Sequence, residues 1–174
     1  LHYLDGWKDS SRRKPLILRG ARQVGKTTAV EMFAKSFDQF ISLNLEKAEE
    51  SRLFSREMPI RDLFQAILLF KKASGTGKRV LLFLDEIQNS PEAVRSLRYF
   101  FEEMPEIHVI AAGSLLEIAL TQKQIGIPVG RVQHAFMYPL TFAEFLEATG
   151  ESRALEAIRT IPVPSFAVPQ LTAL

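Results

Sequence analysis

Gly20-Ala21-Arg22-Gln23-Val24-Gly25-Lys26-Thr27, with Thr28 behind it, decides how this chain is read. The run fits G-x-x-x-x-G-K-[ST] at every fixed position. Glycines let a backbone turn tightly enough for successive N–H groups to point inward at anionic oxygens. Lys26 adds a mobile positive charge for the terminal phosphates, Thr27 a hydroxyl for Mg²⁺, and the helix that starts there its positive dipole end. Chance produces such a run in roughly one chain in a few hundred, and the flanks narrow the odds. Leu16-Ile17-Leu18 reads as an apolar strand, and Ala29, Val30, Phe33, Ala34 and Phe37 share one helical face. Gly20, Ala21, Arg22, Gln23, Val24, Gly25, Lys26, Thr27 and Thr28 are therefore expected to cradle a nucleotide, with Arg22 turned to the surface rather than into the chemistry.

About sixty residues on, Val80-Leu81-Leu82-Phe83-Leu84 delivers Asp85-Glu86. A strand apolar on both faces is a buried parallel strand, and ligands of open α/β sheets bind where such strands end. Asp85 is expected to join Thr27 in the magnesium shell, and Glu86 to orient and deprotonate an attacking water. Alone, two acids would merely end a strand; the phosphate loop gives them work. Ser114, after Ala111-Ala112-Gly113, suits a hydrogen bond to the γ-phosphate or the water, or a plain helix N-cap before Leu115. Arg131, after Gly130, suits an arginine finger or sensor, or a solvated loop residue. The expected catalytic set is Glu86, Lys26, Ser114 and Arg131. Tyr3 and Trp7 could stack on a base, with a core or interdomain role the readier reading. His2, His108 and His134 lack metal-ligand spacing and read as structural or surface residues.

The rest of the chain alternates short β-like runs with amphipathic helices, which predicts an α/β layered fold with a mainly parallel sheet. Phe40 to Leu45 alternates as strand two, Ile107 to Ala112 reads as strand four and Val132 to Tyr138 as strand five. Leu63 to Lys72 predicts a helix stopped by Gly75 and Gly77. Ser90-Pro91-Glu92 opens another, and Leu115 to Leu120 a short one. Thr141 with Glu144 forms a capping-box pattern opening a helix that Gly150 ends, and Ser152 to Thr160 reads as a last helix. A domain over 1–160 and a Pro-rich linker, or the start of a further domain, over 161–174 are expected, the latter from Pro162, Pro164 and Pro169 without any charge. The start at Leu1-His2-Tyr3 reads as a piece of a longer chain.

Bulk properties exclude some classes. No apolar run approaches the roughly 20 residues of a membrane span. The 174 residues hold no cysteine, so there is no disulfide or thiolate metal site in them, and a reducing cytoplasm fits. The net charge of +2 is a weak pointer to nucleic acid. An Asn-Lys-x-Asp guanine motif, an arginine-rich kinase lid and a Ser-Gly-Gly transporter signature are all missing.

Together, Gly20 to Thr28, Leu84-Asp-Glu-Ile-Gln88, Ala112-Gly-Ser-Leu-Leu116, Gly130-Arg131 and Tyr138-Pro-Leu-Thr-Phe-Ala-Glu-Phe-Leu146 resemble the AAA-type ATPase domain of a large bacterial and archaeal family. There the domain usually precedes a C-terminal domain of unknown function. The resemblance covers residues 1 to about 160. It implies an additional-strand core of order 5-1-4-3-2, and ATP with Mg²⁺ rather than GTP. It leaves partner contacts to a C-terminal domain that this sequence lacks. Three functions stay in competition: an ATPase driving a conformational or regulatory switch, a nucleotide-binding switch with negligible turnover (the case if Arg131 must act within a homo-oligomer), and a nucleic-acid-associated motor.

Overall fold

The apolar run before Asp85 forms the middle of the molecule. In the computed structural model, which describes residues 2–55, 57–74, 79–114 and 126–160, β3 (Val80–Asp85) is buried from Val80 to Leu84 and half-emerges at Asp85. It pairs in parallel with β2 (Gln39–Asn44) on one side and β4 (His108–Gly113) on the other. Next to β4 runs β1 (Leu16–Arg19), and outside that β5 (Gln133–Phe136), also parallel. The order β2-β3-β4-β1-β5 is 5-1-4-3-2 read from the other edge, as the resemblance implies. With helices α1 (His2–Lys8), α2 (Lys26–Ala34), α3 (Ala48–Ser51), α4 (Ile60–Phe70) and α5 (Pro91–Glu103), this is an α/β P-loop NTPase fold.

The sheet is covered on both faces, as parallel sheets must be. On one face, α4 and α5 bring Leu63, Phe64, Ile67, Leu97 and Phe100 onto Ile41, Leu43, Leu82 and Leu84. On the other, α1 and α2 bring Leu4, Trp7, Val30 and Phe33 onto Leu16, Leu18, Leu81 and Phe83. At about 25 cal/mol per Å² of apolar surface, each fully buried Leu or Phe contributes on the order of 2 kcal/mol, so side chains from both faces fix β3 in place.

Several local expectations are met. Ser90 caps α5 by accepting from the Ala93 N–H at 3.2 Å, with Pro91 in the first turn. Thr141 and Glu144 form the capping box of α6 (Phe142–Thr149), and Gly150 ends it with φ 77°; α7 (Ser152–Thr160) follows. Others are corrected. The helix expected over Leu63 to Lys72 ends at Phe70: Lys72 takes φ 52° and the Ala73 N–H reaches back to Leu68 O at 2.9 Å, closing the last turn without a glycine. Strand five is shorter than expected. Helix α1 and the turn Arg52–Ser55 carry no capping signal and were not expected. The expected helix over Leu115–Leu120 and the expected linker over 161–174 lie outside the described residues. The contacts divide the chain into two compact units, one up to Tyr138 and one from Pro139 onward.

Candidate functional site

Strand order and register decide what meets what. All five strands run the same way, so the segments after β1, β3 and β4 leave from one edge of the sheet. Arg19 pairs with Gly113, Leu84 with Ala111, and Asn44 with Asp85. The phosphate loop, Ser114 and the acidic pair therefore emerge side by side, with Ser114 between the other two because β4 lies between β1 and β3.

The loop from Gly20 to Thr27 is held open by backbone geometry. Gly25 sits at φ 92°, a left-handed conformation that side-chain-bearing residues resist, and passes directly into α2. Gly20 lies against the end of β5, where any added methyl would collide with the Met137 carbonyl oxygen. The Met137 N–H in turn donates to Arg19 O at 2.7 Å. Lys26 is only 7% exposed, and its ammonium donates to the carbonyls of Gly20 (3.0 Å) and Ala21 (2.7 Å). Its charge is thus kept inside the curve of the loop.

Across from the loop, Thr27 Oγ1 donates to Asp85 Oδ2 at 2.8 Å. Asp85 Oδ1 accepts from the Glu86 N–H at 3.0 Å. Glu86 is bent to φ 51°, ψ 45°, a left-handed conformation costing on the order of 1 kcal/mol or more outside glycine. Its carboxylate accepts from Gln88 Nε2, and from the buried Ser114 Oγ at 3.5 Å. An open cleft of about 450 Å³ runs between loop and acids, lined by Arg22, Gln23, Gly25, Lys26, Thr27, Thr28, Glu46, Asp85 and Glu86.

The donor set suits magnesium. A hydroxyl and a carboxylate already in contact are hard oxygen ligands, and among the described residues no group of three or more His, Asp or Glu could hold a metal unaided. Mg²⁺ binds in just this way, through one or two protein oxygens with water and phosphate completing its octahedron.

Residues 12–146, well over half of the chain, match the family described as "AAA domain". The chain belongs to that family. Its fold is similar to that of a solved structure described as the Walker-type ATPase PABY2304 of Pyrococcus abyssi, with a TM-score of 0.54 at 20% identity; the match covers 94% of this chain and 58% of that one. No curated protein matches. At that identity the likeness is one of fold, and this AAA domain spans little more than half the length of that ATPase. Family and fold together support ATPase-like nucleotide binding.

Arg131 is the expected site residue that this AAA domain does not bring to the cleft. It precedes β5, at the sheet edge where the strands begin, and its Nε donates to Glu102 Oε1 at 3.0 Å. Glu102, near the end of α5, also pairs with Arg98 at 3.1 Å, and these hydrogen bonds and charges hold its carboxyl below the usual range. Arg22 is exposed, as expected, yet lines the cleft. Of the early aromatics, Trp7 is core: its Nε1–H donates to Lys14 O at 2.8 Å and its ring meets Phe33 and His108, whereas Tyr3 is exposed. His108 is buried and His134 exposed.

Three residues of the site escaped the sequence reading. Gln88 holds Glu86, and the spacing Glu86-x-Gln88 was its signal. Glu46 lines the cleft because β2 ends beside Asp85. Glu50, 3% exposed, accepts the Asn44 N–H at 2.7 Å and pairs with Lys71 at 3.0 Å, bracing the end of β2. A lone glutamate in a polar stretch announces no such role. No helix among the described residues is long and apolar enough to cross a membrane.

Proposed function

We propose that this AAA domain binds ATP with magnesium and hydrolyses it to drive a conformational or regulatory switch. The observation that carries the reading is the 2.8 Å hydrogen bond from Thr27 to Asp85. It joins the phosphate loop to the acidic pair, 58 residues apart in sequence, at one mouth of the sheet. In this reading the loop amides and the start of α2 take the phosphate oxygens, and Lys26 exchanges its carbonyl partners for the β and γ phosphates. Thr27 and Asp85 would hold the metal, which when bound neutralises charge on the β and γ oxygens. Glu86 accepts a proton from water as the water oxygen bonds to the γ-phosphorus and the bond to the β-bridging oxygen breaks, releasing ADP. Gln88 and Ser114 keep the Glu86 carboxylate aimed.

A second reading, slow turnover by an isolated copy, is favoured by the position of Arg131. Its ion pair with Glu102 lies at the opposite sheet edge, so a finger role is open to it only on a neighbouring copy's site.

ATP binding and steady-state phosphate release test both. Glu86→Gln should bind ATP like the wild type and lose at least 100-fold in turnover, and Lys26→Ala should lose binding. Turnover per molecule that rises with protein concentration supports Arg131 acting across a contact. Undiminished hydrolysis by Glu86→Gln refutes the assignment of the base.

A further inference from the structure

The face of the sheet that carries α4 and α5 has a groove of its own, of about 420 Å³. One wall is α5. Glu92, Arg95, Ser96, Tyr99 and Glu103 line it, at the i, i+3, i+4, i+7 and i+11 spacing of a single helical face, and so run about 17 Å at the helical rise of 1.5 Å per residue. The facing wall is the turn Arg52–Ser55 with the entry to α4, through Phe54, Glu57, Ile60 and Leu63. Beyond Met58, which lines both, a second hollow of about 380 Å³ continues past Ala66 to Phe70. None of these side chains lines the phosphate cleft. We infer that the groove docks a basic amphipathic helix of a partner protein.

Three observations carry it. The first is length. A wall that keeps one helical face for about three turns gives a partner helix a matching row for its own i, i+3, i+4 and i+7 side chains. No strand lines the groove, so an extended peptide finds no open sheet edge there to pair with. The second is the floor. Phe54, Ile60 and Leu63 are buried in it, and Tyr99 beside them is 48% exposed, an aromatic ring of the kind that interfaces cover. Ser96, the buried polar residue of the lining, already donates to Ala93 O at 2.7 Å, so the floor asks only for apolar surface. The third is charge. Three carboxylates, Glu57, Glu92 and Glu103, stand on the two walls against one cation, Arg95, which pairs with Glu92 at 3.7 Å. Arg61, at the Glu103 end, donates to Glu103 O at 2.9 Å and pairs with Glu106 at 3.9 Å. Glu57 and Glu103 make no ion pair among the described residues. An apolar floor between unpaired carboxylates is complementary to aliphatic side chains flanked by Lys or Arg. The same carboxylates repel the phosphates of nucleic acid and of anionic lipid.

The test is fluorescence anisotropy of the full chain with three labelled synthetic peptides. One is a helix with leucine at i, i+3, i+4 and i+7 in a lysine and alanine frame, one has glutamate in place of its lysines, and one is the lysine peptide in scrambled order. The first should bind at least tenfold more tightly than either of the others. Tyr99→Ala should weaken it at least tenfold and Glu103→Lys at least threefold. Glu31→Lys, at an exposed acid of α2 on the other face of the sheet, should change it less than twofold. Tyr99 and Glu103 are exposed, so neither substitution touches the core. Equal binding of the three peptides, or affinity for the first unmoved by Tyr99→Ala and Glu103→Lys, overturns the inference. Self-association of the full chain that Tyr99→Ala abolishes also overturns it, by assigning the groove to a second copy.

Discussion

His108 ties the stability of the sheet to pH. The imidazole begins β4 in the core beneath α1 and α2, edge-on to Trp7 (5.9 Å between ring centres) and Phe37 (4.8 Å). Burial, then the charge of Arg13, lowers its pKa from 6.5 to about 4, against backbone hydrogen bonding to the ring and with a smaller push from Arg79. The unfolded chain therefore binds a proton below about pH 6.5 that the folded chain refuses until about pH 4. The stability His108 confers is fully present above pH 6.5 and is lost as pH falls through that window. Between pH 7 and pH 5 the linkage integral is about 2 kcal/mol; allowing for a charged ring that leans toward water, about 1–2 kcal/mol should be measured. Urea denaturation of the wild type and of His108→Phe at pH 7, 6 and 5 gives the comparison, since phenylalanine keeps the ring contacts and drops the proton. The wild type should lose that amount relative to the variant. Parallel curves for the two proteins would refute the account.

Two other perturbations read the site and its support. Gln88→Ala removes the donor that holds Glu86, a charged hydrogen bond of about 1.5 kcal/mol; turnover should fall roughly tenfold with ATP affinity unchanged, and equal losses in both would mean that Gln88 supports the loop instead. Glu50→Ala strands Lys71 and the Asn44 N–H beside a cavity and should cost about 2–3 kcal/mol in urea denaturation, somewhat under a fully buried pair because Lys71 is 27% exposed; a loss below about 1 kcal/mol would show that the end of β2 is braced by its strand pairing alone.

The parts of this molecule legible in its sequence are those whose cause is local. Gly25, Lys26 and Thr27 are readable because a phosphate imposes fixed backbone geometry, and Val80 to Leu84 because a strand covered on both faces must be apolar throughout. Ser90-Pro91 and Thr141 to Glu144 announce helix starts through bonds spanning three residues. What escaped is set by neighbours distant in sequence. Glu50 and Lys71 mean nothing until β2 and α4 are side by side, and α1 is a helix because Leu4 and Trp7 find the sheet, with Gly6 in its middle giving no encouragement. Arg131 shows the same limit from the other direction. Its motif context suggested chemistry, but whether a guanidinium reaches a phosphate depends on which end of β5 it precedes.

The carboxylate that holds Arg131 is shared. Glu102 lies in the open between two arginines, and the nearer in sequence, Arg98, sits one helical turn away on the same element. Withdrawing Arg131 leaves the acid still paired with Arg98 and still wet, so undoing the contact costs little. A side chain moored this loosely is set by its surroundings in water rather than by the fold, and a neighbouring charge can turn it without disturbing α5 or β5.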